Sequence, residues 1–159
     1  MNRPFKALAI ATFALAGALG ATAVQASAAN FNVNFAIKNA DPSASMIRTS
    51  ALPSTVTGLI NPASAISPAG LDPATGNAVY SDALPANVGE FKQVQLTYAN
   101  ALDGISNPCT FTLKVSKDTN AQPYLLHMAA NGGSCAAPGD VRTSNGQFTA
   151  QVYTPSWAI

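Results

Sequence analysis

Asn30-Phe31-Asn32-Val33-Asn34-Phe35-Ala36-Ile37 is the stretch that decides the fold class. Phe31, Val33, Phe35 and Ile37 alternate with Asn32, Asn34 and Ala36, and a period of two places all four apolar side chains on one face. The segment is therefore read as a half-buried β-strand, stopped by Asp41-Pro42. The same pattern returns in the C-terminal half. Val94, Leu96 and Tyr98 alternate with Gln93, Gln95 and Thr97. Cys109, Phe111, Leu113 and Val115 alternate with Thr110, Thr112, Lys114 and Ser116, so this cysteine shares the apolar face. Tyr124, Leu126 and Met128 oppose Leu125 and His127, in a run that Gly132-Gly133 ends. Asn145-Gly146 marks a turn, after which Phe148, Ala150 and Val152 alternate with Gln147, Thr149 and Gln151.

Between these regions, prolines at 42, 53, 62, 68, 73 and 85 leave no room for a helix of ordinary length. Short extended pieces are expected at 45–49, 55–60 and 78–81. Several short strands, turn signals between them and no amphipathic helix predict an all-β fold. The expected architecture is a single antiparallel β-sandwich with one disulfide, and a barrel is the alternative. No repeat, interdomain linker or second domain stands out.

The first 28 residues are read as an address rather than as fold. Arg3 and Lys6 precede an uncharged apolar run over 7–24, which ends in Ala26-Ser27-Ala28. This is the pattern of a secretory signal peptide. The charged end stays cytoplasmic, the apolar stretch enters the translocon, and the small residues fit the peptidase. Cleavage is expected after Ala28, with the bond after Ala29 as the neighbouring choice, leaving a domain over 29–159. The run is long enough to span a bilayer, but its Ala and Gly content gives it little drive to stay in lipid. The style of this leader and the lack of any N-x-S/T sequon point to a bacterial source, with the protein in the periplasm or outside the cell.

The 159 residues are 48% hydrophobic and 9% charged, with 8 basic and 7 acidic side chains. Removing Arg3 and Lys6 leaves a near-neutral chain with a slight acidic excess. Such a surface is not expected to steer toward nucleic acid or anionic lipid, and nucleic acid is excluded as a partner. Export places Cys109 and Cys135 in an oxidising compartment, where a pair bridges. Closing that loop is worth roughly 3–4 kcal/mol by the chain-entropy argument.

Catalytic chemistry finds little footing. His127 is the one histidine, so a Ser-His or Cys-His site must use it. No G-x-S-x-G elbow occurs, and Glu90 is the one glutamate among the acids that a glycosidase pair would need. One histidine and two bridged cysteines do not make a zinc set. Asp72-Pro73-Ala74-Thr75-Gly76-Asn77, with Asp82 nearby, offers oxygen donors for calcium but lacks the loop pattern, and reads as a polar turn. No catalytic residue, metal site or cofactor is assigned. Candidate contacts for a ligand or partner are Tyr80, Tyr124, His127 and Trp157. Tyr98 and Tyr153 belong to the same set of rings that either line a groove or bury their faces. Trp157 either pins the last strand or presents itself to a partner, and pinning is the expectation.

Three functional classes follow. The first is an exported, non-catalytic protein with a binding, surface or adhesion/assembly role, whose partner is a polar ligand, a glycan or a protein. Within it, the strand at 31–37 looks like the donor strand of fimbrial pilins, which resembles an oligomer built by strand pairing. The chain departs from that group in its late disulfide and in Ala158 at the penultimate position, where pilins carry Tyr. The second class is a lipid-binding or pore-forming β-protein; membrane contact belongs to this alternative and is not the expectation for the chain. In size and architecture the chain is similar to the aegerolysins, with Ile37-Lys38-Asn39, Ile66-Ser67-Pro68-Ala69-Gly70 and Tyr98 as the fragments concerned. The third is a small secreted enzyme or an inhibitor presenting the Pro-rich stretch over 61–73.

Overall fold

The computed structural model describes residues 29–39, 45–58, 65–66, 74–100, 108–132 and 135–155. Eleven strands occur among them, and no helix, so none is long and apolar enough to cross a membrane. They are β1 (Asn30–Asn39), β2 (Met46–Arg48), β3 (Val56–Gly58), β4 (Ala65–Ile66), β5 (Ala74–Ala83), β6 (Phe91–Asn100), β7 (Cys109–Lys117), β8 (Tyr124–Asn131), β9 (Cys135–Ala136), β10 (Val141–Thr143) and β11 (Gln147–Pro155). One sheet runs β3-β5-β1-β11-β9 and the other β10-β8-β7-β6-β2-β4. The inner faces of both supply one core cluster, so the arrangement is sandwich-like. The sheets share no strand and do not close into a barrel.

The alternation in β1 has the consequence expected of it. Phe31, Val33, Phe35 and Ile37 are all at most 2% exposed. Phe31 meets Tyr80 of β5 edge to face, with ring centroids 4.9 Å apart. The other face of β1 carries amides that tie it to β11. Asn32 Nδ2 donates to Gln147 Oε1 at 3.0 Å, and Asn34 Nδ2 donates to the Phe148 carbonyl at 3.4 Å. In the second sheet, Leu96, Phe111, Leu113, Val115 and Leu126 fill the facing half of the core.

Direction is where the structure departs from a purely antiparallel sandwich. β1 pairs β5 antiparallel over ten residues, from Asn30↔Ala83 to Asn39↔Ala74. It pairs β11 in parallel, from Asn32↔Gln147 to Ile37↔Tyr153. Between Val33 and Phe35 the β11 partners step from Phe148 to Gln151, so β11 uses three residues where β1 uses two. This is a local bulge.

The extended pieces expected at 45–49 and 55–60 correspond to β2 and β3, and the piece at 78–81 is the middle of the longer β5. Residues 74–77, read as part of a polar turn, begin β5 instead, because the ladder with β1 extends the strand. The strands β4, β9 and β10 were not expected. The two cysteines bridge with Cα atoms 5.9 Å apart. Cys109 opens β7 in one sheet and Cys135 opens β9 in the other, so the bond straps the two sheets together.

Candidate functional site

Two regions of the described surface carry features that core packing does not require. The first is the seat of β1. β1 lies between β5 and β11 in the middle of its sheet, yet it is the first strand among the described residues. Removing it would open a cleft between β5 and β11 and take four side chains out of the core.

The second region is one end of the sandwich. Ala29 lies there, since its carbonyl accepts the Leu84 N–H at 3.0 Å. The turn over 84–90 joins β5 to β6 at the same end, beside the 118–123 loop and the 144–146 turn. The Glu90 carboxylate folds back into its own turn. It accepts the Asn87 side-chain amide at 2.6 Å, the Asn87 N–H at 3.0 Å and the Ala86 N–H at 2.8 Å. These bonds, the Asn87 side chain first, hold its carboxyl below the usual carboxylate range. Gly89 sits at φ +89°, and its N–H donates to the Lys117 carbonyl at 2.9 Å. The Lys117 ammonium reaches the Ala86 carbonyl at 2.7 Å. The turn is thus bonded from both sides.

This stiff turn presents apolar groups outward. Val88 is 59% exposed and Phe91 53%. The Lys114 ammonium stands 4.3 Å from the centre of the Phe91 ring. Lys92 is exposed at the same end, on the other face of β6. Among the described residues, Lys92, Lys114 and Lys117 have no ion-paired carboxylate. Asp118 instead binds Arg142 and the Asn120 N–H, with Asn120 the larger cause of its lowered carboxyl pKa.

The residues singled out from sequence fall in different places. Tyr80 is 1% exposed and belongs to the core, so its ring is not presented at the surface. Its hydroxyl is buried without a hydrogen-bond partner among the described residues. Tyr98 is equally buried. Burial pushes both phenols up, Tyr98 to about 12, with Asp82 adding to the shift at Tyr80 and Arg48 opposing it at Tyr98. Tyr124 is half-buried on β8, and the Lys117 ammonium lies 6.0 Å from its ring centre. His127 projects from the outer face of β8, and its Nδ1 is 2.8 Å from Asp140 Oδ1. Both side chains are about half exposed, where such a pair contributes little to stability. No Ser, Thr or Cys side chain is hydrogen-bonded to that ring among the described residues. Trp157 and residues 1–28, expected to be a leader, lie outside the described residues, as do Asp72 and most of the 61–73 stretch.

A depression of about 360 Å³ lies over β1, β5 and β3, with Asn34, Ala36, Thr57, Asn77 and Val79 in its lining and no ionisable side chain. No group of three His, Cys, Asp or Glu residues converges among the described residues.

Val88 and Phe91 were not picked out from the sequence. A signal for Phe91 exists there: Val94, Leu96 and Tyr98 face inward at even numbers, which sets Phe91 out of phase with its own strand's core face. Among the described residues, neither the aromatic set nor the histidine gathers a site. Compared with family models, with curated proteins and with solved structures, the chain matches none of them.

Proposed function

We propose that the protein is an exported, non-catalytic β-sandwich subunit with an assembly role, joined to other copies by exchange of its first strand. The observation that supports this reading is the placement of β1. It is the first strand among the described residues, yet it fills the middle of a sheet and lies parallel to β11, the last of them. Among the described residues the next strand in sequence, β2, lies in the other sheet. Exchanging it between copies reforms every ladder bond and every core contact, so the exchange costs little beyond opening. The Asn-rich outer face of β1 bonds β11 through side-chain amides, which adds register to the pairing.

The reading of export rests on the leader, and the Cys109–Cys135 bond suits an oxidising compartment. The absence of a role in catalysis is part of the proposal: the exposed His127–Asp140 pair is a surface contact in it. The test uses a variant lacking residues 30–37 and a synthetic peptide of Asn30–Asn39. The full chain is expected to form oligomers whose population grows with concentration. The truncated variant is expected to form none, and to regain its fold on adding the peptide but not a peptide carrying Phe35→Asp. A truncated variant that oligomerises normally would sink the proposal.

A further inference from the structure

The end of the sandwich that carries Ala29 combines three features that core packing leaves unexplained. Val88 and Phe91 are more than half exposed on a turn that Glu90, Gly89 and Lys117 hold rigid. An apolar side chain on a preorganised turn loses little conformational freedom when it is buried by a partner. Lys92, Lys114 and Lys117 lie toward this end of β6 and β7 without ion-paired carboxylates among the described residues. The Lys117 ammonium is held by the Ala86 carbonyl, Lys114 stands over the Phe91 ring, and the Glu90 carboxylate, which acts on Lys92 through space, is bonded by the turn's own donors. Exposed apolar tips with Lys92 and Lys114 at the same end match a surface that is anionic at its headgroups and apolar beneath them, a local feature of a chain that is near neutral overall.

The third feature is where the chain leaves the fold. Residue 29 stands at this same end, and the apolar run over 7–24 precedes it by a few residues. The rigid tip, the lysines of β6 and β7 and residue 29 thus lie at one end.

We infer that this end is a membrane-facing surface, docking an anionic lipid bilayer through Val88 and Phe91 with Lys92 and Lys114 at the headgroups. The inference goes beyond assembly and does not depend on strand exchange. An intact mass tests the reading of export separately.

The experiment expresses the full chain with its leader, recovers the exported product and fixes its first residue by intact mass. Sedimentation with vesicles then compares phosphatidylcholine alone with an equal mixture of phosphatidylcholine and phosphatidylglycerol. Binding to the anionic vesicles is expected, weakened by salt, with little to phosphatidylcholine alone. Lys92→Gln and Lys114→Gln should each weaken it roughly fivefold. Val88→Asp with Phe91→Asp should abolish it, while Lys38→Gln, at the far end of β1, should leave it unchanged. Melting temperatures close to that of the parent show that the variants are folded. No binding to anionic vesicles, equal binding to both compositions, or binding that ignores Val88 and Phe91 overturns the inference. A mass that retains the leader overturns the export reading and leaves the vesicle result to be read on its own.

Discussion

Gly132 and Gly89 share a backbone conformation and differ in surroundings. Gly132 has φ +92° and Gly89 has φ +89°, a region that residues with a Cβ enter at a cost of about 1–2 kcal/mol. A Cβ on Gly132 would stand 2.2 Å from the Pro108 carbonyl oxygen, while one on Gly89 would meet nothing within 4 Å. Gly132→Ala is therefore expected to lower the melting temperature well beyond Gly89→Ala, because only the former must also displace backbone next to the disulfide. Equal losses in thermal unfolding would refute that account. The buried phenols make a second prediction. Tyr98 is pushed up to about 12, and Tyr80 is raised as well, both chiefly by burial. A raised group stabilises the fold below its unfolded value of 10.0, and that contribution is lost as pH rises through the folded value. Stability should thus decline above pH ~10. The tyrosinate absorbance of these two rings should appear together with unfolding, measured in one alkaline titration. Absorbance that saturates before circular dichroism changes would contradict it.

At the scale of the element, β1 concentrates the stakes. Phe35 is 2% exposed and packs among both sheets. Phe35→Ala is expected to cost about 3–5 kcal/mol. Asn34→Ala, on the outer face, should stay within about 1 kcal/mol. Denaturant titration of the two variants distinguishes them, and similar midpoints would show that β1 is not anchored as described. This strand was also the most legible in the sequence, because a period of two over seven residues carries its own signal. β6, β7, β8 and β11 were readable for the same reason. β4, β9 and β10 were not, since two or three residues hold no period and exist as strands through their partners. The start of β5 was masked by Pro73 and Gly76, which signal a turn locally and were overridden by the ten-residue ladder with β1. The parallel sense of β1 and β11 has no local signature at all, because alternation is the same in both directions.

For the whole molecule, the chain path is the governing fact. From β1 to β6 each successive strand enters the opposite sheet, and β9, β10 and β11 alternate again. Neither sheet can be completed before the other, so folding depends on distant pairings and should be slow for the chain's size. The Cys109–Cys135 bond closes a loop 26 residues apart in sequence and joins the sheets. Replacing both cysteines by Ala should lower stability by roughly 3–4 kcal/mol. A loss under about 1 kcal/mol in equilibrium unfolding would show that the strap adds little to the constraint on the unfolded chain. The candidate docking end was the least legible part of the molecule, since it is assembled from residues 29, 84–92 and 114–117, and nothing in any one of these segments announces the others. The bulge of β11 opposite Asn34 bears on how copies would join. An alternating strand can slide two places along its neighbours and still point its apolar side chains inward. Here such a slide would carry Asn34 away from the one widened step in β11, and its amide away from the Phe148 carbonyl. The seat is keyed like a toothed rack with one odd gap, so each strand stops at a single notch and every link in a chain of subunits would have the same length.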